Sequence, residues 1–214
     1  MGDTITADLI KGGNAVDSID YSVKQYVIDA LEYYPDDTAL KQLLADLIAY
    51  GVAAQEYLSY KTNALVNEGI DNLPAPSDAV PTEADRNRSI SEALNSDVQF
   101  TAAGVRFDYN NRIYVKFKAP SLDGVKVSVG GVDLEIKETN KDGIYIAYSD
   151  AISALRFADQ LTFTLSYGGQ AVQTLVYTIN DYALAKHADS RISNLALALY
   201  RYGKSAEAYD ASTR

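Results

Sequence analysis

An internal repeat constrains this chain more than any other feature of its sequence. Residues 2–16 recur without a gap as residues 158–172, and both copies contain a glycine pair, Gly12-Gly13 or Gly168-Gly169. Residues 21–26 then match residues 177–182. After a shorter connection, Leu43, Leu47, Tyr50, Gly51, Ala54 and Tyr57 correspond in order to Leu195, Leu199, Tyr202, Gly203, Ala206 and Tyr209. Matches in the same order over separate blocks indicate one building block used twice.

Each copy is predicted to begin with a β-hairpin and to continue into two helices. β-prone residues flank each glycine pair, which predicts strands at 4–10 and 15–21, and again at 162–167 and 172–179. Apolar residues at helical spacing predict helices at 23–34 and 39–60, and at 181–186 and 190–209. The segment 35–38 is expected to end the first helix and cap the second.

The sequence between the two copies favours a sandwich of short strands. Residues 73–81 form a Pro-rich linker, and 82–94 are predicted to be a polar helix. Strands are predicted at 98–107, 112–119, 126–129, 132–138 and 144–148, with a helical turn within 151–158. The fold expected is α+β: an antiparallel Ig-like β-sandwich with a C-terminal helical hairpin, preceded by the strand hairpin and helical pair of a previous unit.

These elements predict four segments. They are the tail of a first repeat unit (1–70), a linker with a short helix (71–96), the β-sandwich (97–179) and a C-terminal helical pair (180–214).

Composition excludes several classes of function. The chain has no Cys and one His, so thiolate zinc sites, iron–sulfur clusters and His-rich metal sites are ruled out. Its net charge of −10 disfavours nucleic acid and anionic membranes, and no apolar run is long enough to cross a bilayer. The opening residues have no signal-peptide pattern, and with the repeat this favours a piece of a longer exported protein.

Two local patterns resemble chemical sites. His187 lies near Asp189 and Ser190, but it occupies a turn beside a helix cap, and we expect no catalytic role. Glu138, Asn140 and Asp142 resemble the start of a calcium-binding loop. Ser149 stands where an EF-hand requires a bidentate Glu, and no helices flank the loop, so a hairpin turn is favoured over a Ca²⁺ site.

Tyrosine is the most suggestive feature of the composition. The chain has 17 Tyr against 5 Phe and no Trp. Tyrosines in or beside the second helix of each copy are expected to pack where helices meet the sandwich. Tyr109, Tyr114, Tyr145 and Tyr148 fall on the predicted sandwich and are candidate contacts for a sugar or a protein ligand.

The repeated motifs resemble a module of large surface proteins from anaerobic Gram-positive gut bacteria. The residues that carry the resemblance are Tyr21-Ser22-Val23-Lys24-Gln25-Tyr26 and Tyr50-Gly51-Val52-Ala53-Ala54-Gln55-Glu56-Tyr57. The resemblance covers most of the chain outside the linker, although Lys204-Ser205-Ala206-Glu207-Ala208 departs from the double-Ala pattern. It implies a sandwich running into a helical pair, within a secreted or cell-surface protein of many modules, and it brings no catalytic residues.

The sequence therefore predicts a non-catalytic spacer or adhesion module that binds protein or glycan. Its expected partners are other modules of the same polypeptide, with a glycan or a host or bacterial surface protein as ligand. A carbohydrate-binding module that uses surface Tyr residues is the alternative. A hydrolase with unidentified carboxylates is a weaker one, because no local motif selects a pair among the 29 acidic residues.

Overall fold

The computed structural model describes Asp3, residues 5–107 and residues 110–214, apart from the side chains of residues 9, 15, 17 and 19. Contacts within the chain divide it into two compact units. The first comprises residues 1–80 together with 189–214, and the second comprises residues 81–188.

The helices and strands follow the order that the repeat predicts. In chain order they are β1 Ile5–Lys11, β2 Asn14–Tyr21, α1 Val23–Tyr33, α2 Thr38–Tyr57, β3 Ser89–Ile90, β4 Gln99–Phe107, β5 Asn111–Lys118, β6 Val125–Val129, β7 Val132–Asp133, β8 Ile136–Glu138, β9 Ile144–Tyr148, β10 Leu161–Tyr167, β11 Gln170–Tyr177, α3 Ile179–Lys186 and α4 Ser193–Thr213.

The hairpin of β1 and β2 closes through the predicted glycine pair. Gly12 and Gly13 have φ values of 61° and 83°, a conformation that costs glycine little and other residues more. Ile5 pairs with Tyr21 at the open end, and the register shifts between Leu9 and Ile10. Both strands and their turn agree with the prediction from the repeat.

Capping side chains fix the starts of α1 and α2. Ser22 accepts a hydrogen bond from the backbone N–H of Gln25 at 3.0 Å, and Asp37 accepts one from Leu40 at 2.8 Å. The cap at Asp37 confirms the helix start predicted within 35–38. The helices pack around a core that contains Val27, Ala30, Leu31, Leu40, Leu44, Ile48 and Val66.

Helix α4 completes the first unit by packing against α2. Asp46 is fully buried and its Oδ2 atom accepts a hydrogen bond from Ser205 at 2.6 Å. Its Oδ1 atom accepts another from the backbone N–H of Ser77 at 2.8 Å. The carboxylate of Asp46 thus joins α2, α4 and the Pro-rich segment within one unit.

The second unit is a β-sandwich of two antiparallel sheets. One sheet has the order β3-β11-β10-β6-β7 and the other has the order β4-β5-β9-β8. The mixed α+β class and the sandwich-like architecture are confirmed. The predicted strand at 132–138 is divided between the sheets, since β7 pairs with β6 and β8 pairs with β9.

A buried glutamine links the two sheets of the sandwich. Gln173 of β11 accepts a hydrogen bond from the backbone N–H of Phe100 at 2.7 Å and donates one to the carbonyl of Ser91 at 3.0 Å. Both ends of its amide are therefore satisfied, as a buried polar group requires. The fully buried apolar side chains of the sandwich include Ile113, Val115, Phe117, Val127, Phe163 and Leu165.

The predicted polar helix at 82–94 is wrong. Thr82 and Asp85 form a capping box, but only a short 3-10 turn, Glu83–Asp85, follows it. β3 then pairs with β11, with Ile90 opposite Leu175. Pairing with β3 satisfies backbone groups of β11 that would otherwise form an open sheet edge, so tertiary pairing overrides local helix propensity. The predicted helical turn within 151–158 is present as Ala154–Arg156.

A second capping box begins α3 directly after β11. Asp181 accepts from the backbone N–H and the hydroxyl of Thr178, at 2.8 and 2.9 Å, and Thr178 accepts from the N–H of Asp181. This box sets the change from strand to helix in the second copy. Among the described helices, none combines the length and apolar character that crossing a bilayer needs.

Candidate ligand-binding face of the sandwich

Strand alternation gives the sheet β4-β5-β9-β8 one buried face and one accessible face. In the central strand β5, Ile113, Val115 and Phe117 are fully buried, while the intervening residues are partly exposed. Those intervening residues are Arg112, Tyr114, Lys116 and Lys118. We call the side of the sheet that carries them the outer face.

Two of the predicted tyrosines meet on the outer face. Tyr114 of β5 and Tyr148 of β9 are direct cross-strand partners. Their rings lie edge to face, with centroids 6.4 Å apart and planes at 60°. Such a pair presents one ring face and one ring edge side by side, a surface suited to an apolar or sugar ring.

Arginine and lysine side chains surround these rings. The guanidinium carbons of Arg106 and Arg112 lie 5.3 and 5.1 Å from the centre of the Tyr148 ring. Arg106 also donates a hydrogen bond to the Tyr148 hydroxyl at 3.0 Å. Lys116 lies 5.8 Å from the centre of the Tyr114 ring. Cation–π contacts of this length hold the cationic groups close to the rings.

A glycine sets the position of the Tyr114 ring. Gly104 of β4 pairs with Tyr114, and a Cβ atom at residue 104 would lie 2.7–2.9 Å from three atoms of the Tyr114 side chain. A larger residue there would force the ring to move. Gly104 therefore allows Tyr114 to lie against the backbone of β4.

A cavity of about 310 Å³ adjoins Tyr114 at the edge of the outer face. Tyr177 and Tyr182 line it, together with Arg88 and other cationic side chains, Arg86 and Lys186. Burial, with Asp181 adding to it, raises the pKa of the Tyr177 hydroxyl, so this group stays neutral and can donate a hydrogen bond.

Among the residues that the structure describes, Asp181 is the carboxylate that lines this cavity, and it is engaged within the protein. The Oδ1 atom of Asp181 accepts from the backbone N–H groups of Asn87 and Arg88 at 2.7 and 2.8 Å, and its Oδ2 atom accepts from Thr178. These hydrogen bonds stabilise the charge of Asp181 from within the fold.

The other two predicted tyrosines do not join this pair. Tyr145 stacks on the buried ring of Phe117, with centroids 5.6 Å apart and planes at 27°. It therefore lies on the core side of the sheet, because it is an odd number of positions from Tyr148 along β9. Tyr109 lies outside the described residues.

The residues of the calcium-like loop connect β8 to β9 as a turn. Glu138, Asn140 and Asp142 are exposed, and the hydroxyl of Thr139 donates to the carbonyl of Ile144 at 2.7 Å across the loop. Ser149, at the position of the EF-hand Glu, is buried and accepts from the N–H of Ile113. Within the described part of the chain, no three His, Cys, Asp or Glu side chains form a group that could hold a metal ion.

His187 ends α3, in line with the turn position expected for it. Its Nδ1 atom lies 2.8 Å from the carbonyl oxygen of Leu184, a local contact at the end of the helix. The neighbouring Asp189 instead accepts a hydrogen bond from the backbone N–H of Arg191 at 3.2 Å. Both contacts serve the connection between helices.

A larger cavity, of about 500 Å³, lies in the first unit between α2, α4 and the segment 67–76. Its lining is mostly aliphatic, with Ile48, Val52 and Leu73 among the residues, and none of the described residues that line it is aromatic. It offers a sugar no ring to stack on, whereas the outer face offers two.

Sequence reasoning found the tyrosines of the outer face but missed their cations. The signal was present as the alternation of Arg112, Tyr114, Lys116 and Lys118 with apolar residues along β5. The composition of the whole chain hides this pattern, because 29 acidic residues outnumber 19 basic ones. Net charge does not describe one face of one sheet.

No protein-family model matches this chain, and no match was found among curated proteins or solved structures.

Proposed function

We propose that this chain is a non-catalytic spacer or adhesion module of an exported, cell-surface protein assembled from repeats of a sandwich and helices. The observation that carries the proposal is the likeness of two hairpins. β1–β2 and β10–β11 have the same pairing register and the same glycine turn. In both hairpins the register shifts at the same point, directly after Leu9 or Leu165. They are two copies of one structural part.

The two copies differ in what covers them. Tyr21 is 50% exposed, whereas the equivalent Tyr177 is 4% exposed. Val16 is 55% exposed, against 8% for Val172. In the second copy, β6 pairs with β10 and β3 pairs with β11, and both belong to the sandwich. Within the described part of the chain, the sheet that contains β1 and β2 consists of these two strands.

Helix α1 shows the same difference. Tyr26 is 47% exposed, and its equivalent in α3, Tyr182, is 7% exposed. Tyr182 meets Phe107 of β4 edge to face, with ring centroids 5.6 Å apart. The first copy therefore presents the apolar residues that, in the second copy, pack on a sandwich.

These contrasts support a tandem arrangement in which β1–β2 and α1 complete a sandwich supplied by another repeat of the same polypeptide. Burying exposed apolar side chains such as Tyr21 and Val16 is favourable, and pairing both strand edges supplies hydrogen bonds. The resemblance to surface-protein modules supports the extracellular location. In this role the module spaces or presents its neighbours and needs no reaction centre.

The assembly can be tested by adding the missing strands. A second copy of residues 81–160 would be fused before Ile5 of the full chain, because Gln160 is the equivalent of residue 4. We expect β1–β2 amides to become protected from hydrogen exchange, measured by mass spectrometry. Binding of a dye specific for exposed apolar surface should fall at the same time.

A matched control is the same fusion with Phe117→Asp in the added copy alone, which should prevent that copy from forming a core. Protection of β1–β2 should then return to that of the parent chain. Unchanged exchange of β1–β2 in the intact fusion would contradict the tandem arrangement. For the location, the encoding gene is expected to specify an export signal and further repeats.

A carbohydrate-binding role is the second candidate, and the contact between Tyr114 and Tyr148 favours it. The two rings and the cavity beside Tyr114 form a surface that could receive a sugar residue. This role is compatible with the first, since an adhesion module both links its neighbours and binds a ligand.

A further inference from the structure

The chain leaves the first unit to form the sandwich and then returns to the first unit. The first unit comprises residues 1–80 and 189–214, and the residues between them, 81–188, form the second unit. Helix α2 precedes this insertion and α4 follows it, and the two helices pack against each other within the first unit. The sandwich is therefore an insertion whose two ends both connect to one pair of helices, which we call the α2–α4 pair.

Side-chain contacts join the segments on either side of the insertion directly. Ser205 of α4 donates a hydrogen bond to the buried carboxylate of Asp46 of α2 at 2.6 Å. Arg201 of α4 donates through Nε to the carbonyl oxygen of Ala79, just before the insertion, at 3.0 Å. These contacts join residues 159 and 122 positions apart. They close a loop of chain that contains the whole second unit.

The start of α2 and the end of α4 lie at the same end of the pair. Tyr209, in the last turns of α4, packs against a core cluster that contains Leu40, in the first turn of α2. A force transmitted along the polypeptide reaches the pair at the start of α2 and leaves it at the end of α4. It therefore pulls on the contacts between the helices, and the sandwich lies outside its path while these contacts hold.

We propose that the α2–α4 pair is a mechanical clamp that shields the sandwich from tension along the polypeptide. While the helices stay together, the sandwich and any ligand on it experience no force. When the pair opens, the sandwich enters the path of the force, and its unfolding then lengthens the chain. The proposal deepens the spacer role proposed above and rests on it, because a spacer in a surface protein is stretched between its neighbours.

The two parts should open in a fixed order and at different forces. Pulling on adjacent ends of two antiparallel helices separates their contacts one after another, beginning near Tyr209. The sandwich is held by hydrogen bonds between neighbouring strands in two sheets and by a core that includes Phe117 and Phe163. Separate cooperative units of a protein open at separate costs. We therefore expect the pair to open at the lower force and the sandwich to unfold only afterwards.

The test stretches single molecules of the full chain between two handles in optical tweezers. The chain has no Cys, so handles attach only to introduced cysteines. Asp36→Cys and Arg214→Cys, both at exposed positions, apply the force to the start of α2 and the end of α4. We expect a first step as the pair opens and a second step at higher force. The second unit has roughly 110 residues, so the second step should release about 380 Å of extended chain, less the distance between its folded ends.

Variants of each part should change their own step alone. Tyr202→Leu removes the ring that stacks on Tyr50, and it should raise the rate of the first step severalfold at a given force, up to about tenfold. The second step should be unchanged. Phe163→Ala creates a cavity in the sandwich, and it should speed the second step by more than about tenfold without changing the first.

The order of the steps is the decisive measurement. Even in Phe163→Ala, the length of the second unit should never be released before the pair opens, so a weakened sandwich can at most make the two steps coincide. Thermal unfolding would confirm that this variant folds, and Gly169→Val provides a milder change in the same sandwich if it does not.

Two results would overturn the proposal. One is release of the second unit before the first step, and the other is a first step whose rate is the same in Tyr202→Leu as in the parent. Neither result would alter the fusion experiment on β1–β2, since that experiment leaves α2 and α4 unchanged. Failure of the clamp can therefore be told apart from failure of the tandem arrangement.

Discussion

The ring of Tyr50 lies almost parallel to the ring of Tyr202, with 14° between their planes and 5.9 Å between their centroids. These residues hold equivalent positions in the two copies, and each precedes a buried glycine, Gly51 or Gly203. Asp46 contacts Ser205, and the end of α2 lies beside residues 190–195, so α2 and α4 run antiparallel. The two copies of one helix therefore meet through the same face, around an approximate local twofold axis.

The Tyr50–Tyr202 contact should couple the two helices measurably. We expect Tyr50→Leu and Tyr202→Leu to destabilise the first unit, and the double variant to lose about 0.5–1.5 kcal/mol less than the sum of the single losses. Urea unfolding of the parent, both single variants and the double variant gives this difference. Tyr33, which is exposed at the end of α1, provides the control. The loss of unfolding free energy caused by Tyr33→Leu should simply add to the loss caused by Tyr202→Leu. Strict additivity for Tyr50 and Tyr202 would show that the stacking contributes nothing.

Asp46 should be the most sensitive polar position in the first unit. Asp46→Ala would leave the part-buried N–H of Ser77 without its acceptor, at a cost of about 1–3 kcal/mol, and would leave the Ser205 hydroxyl with the carbonyl of Arg201 as its acceptor. We expect Ser205→Ala to cost less, because the carboxylate keeps its bond from Ser77. The urea midpoint of each variant measures the effect, with Asp71→Ala, at an exposed position, as the control. If Asp46→Ala and Asp71→Ala shifted the midpoint equally, the buried network would have no energetic role.

Much of the fold could be predicted because it is encoded locally. The glycine pairs at Gly12 and Gly168 require backbone conformations that other residues adopt at a cost, so the turns and hairpin registers follow from a few residues. Alternation along β5 predicted a strand with one buried face. The predicted strand at 132–138 divides between two sheets, and alternation within one strand carries no information about which sheet it joins.

The partner of each helix could not be predicted from its apolar face. Helices α2 and α4 have the same pattern, so each could pack on a sandwich, on its own neighbour or on the other copy. The sequence placed both C-terminal helices in one segment, whereas contacts place α3 with the sandwich and α4 with α2. The contacts that join α2 to α4, such as Asp46 with Ser205 and Tyr50 with Tyr202, connect residues separated by most of the chain, which a helical pattern does not specify.

The sequence predicted some residues of the candidate site but not which of them share a face of the sheet. Tyr114 and Tyr148 were identified by residue type, and the same criterion also selected Tyr145, which faces the core. Only the register of β5 against β9 separates them, because Tyr114 is opposite Tyr148 and Phe117 is opposite Tyr145. Cross-strand register depends on the whole sheet, which single-strand patterns do not specify.

The glycine turn of the second hairpin should tolerate one substitution and not another. Gly168 and Gly169 have φ values of 59° and 82°. Gly168→Asn should be nearly neutral, since Asn-Gly is the preferred pair for this kind of turn. Gly169→Val should destabilise the sandwich by about 1–2 kcal/mol or more, because a β-branched residue is strained at positive φ. Thermal unfolding compares the two, and equal losses would show that backbone conformation does not limit the turn.

Burial of Tyr177 should make the second unit sensitive to high pH. Its pKa is raised in the folded chain by burial and by Asp181, while the unfolded chain retains the ordinary value near 10. Above about pH 10 the unfolded chain releases a proton that the folded chain keeps, so the free energy of unfolding falls as pH rises. The contribution is complete below that pH, and its loss approaches about 1.4 kcal/mol per pH unit. Urea unfolding from pH 8 to 11 measures how steeply the free energy of unfolding falls with pH. This fall should be less steep for Tyr177→Phe than for the parent. Tyr33→Phe, at an exposed position, should keep the parent slope. Identical slopes for the parent and Tyr177→Phe would mean that this hydroxyl ionises as readily in the folded sandwich as in the unfolded chain.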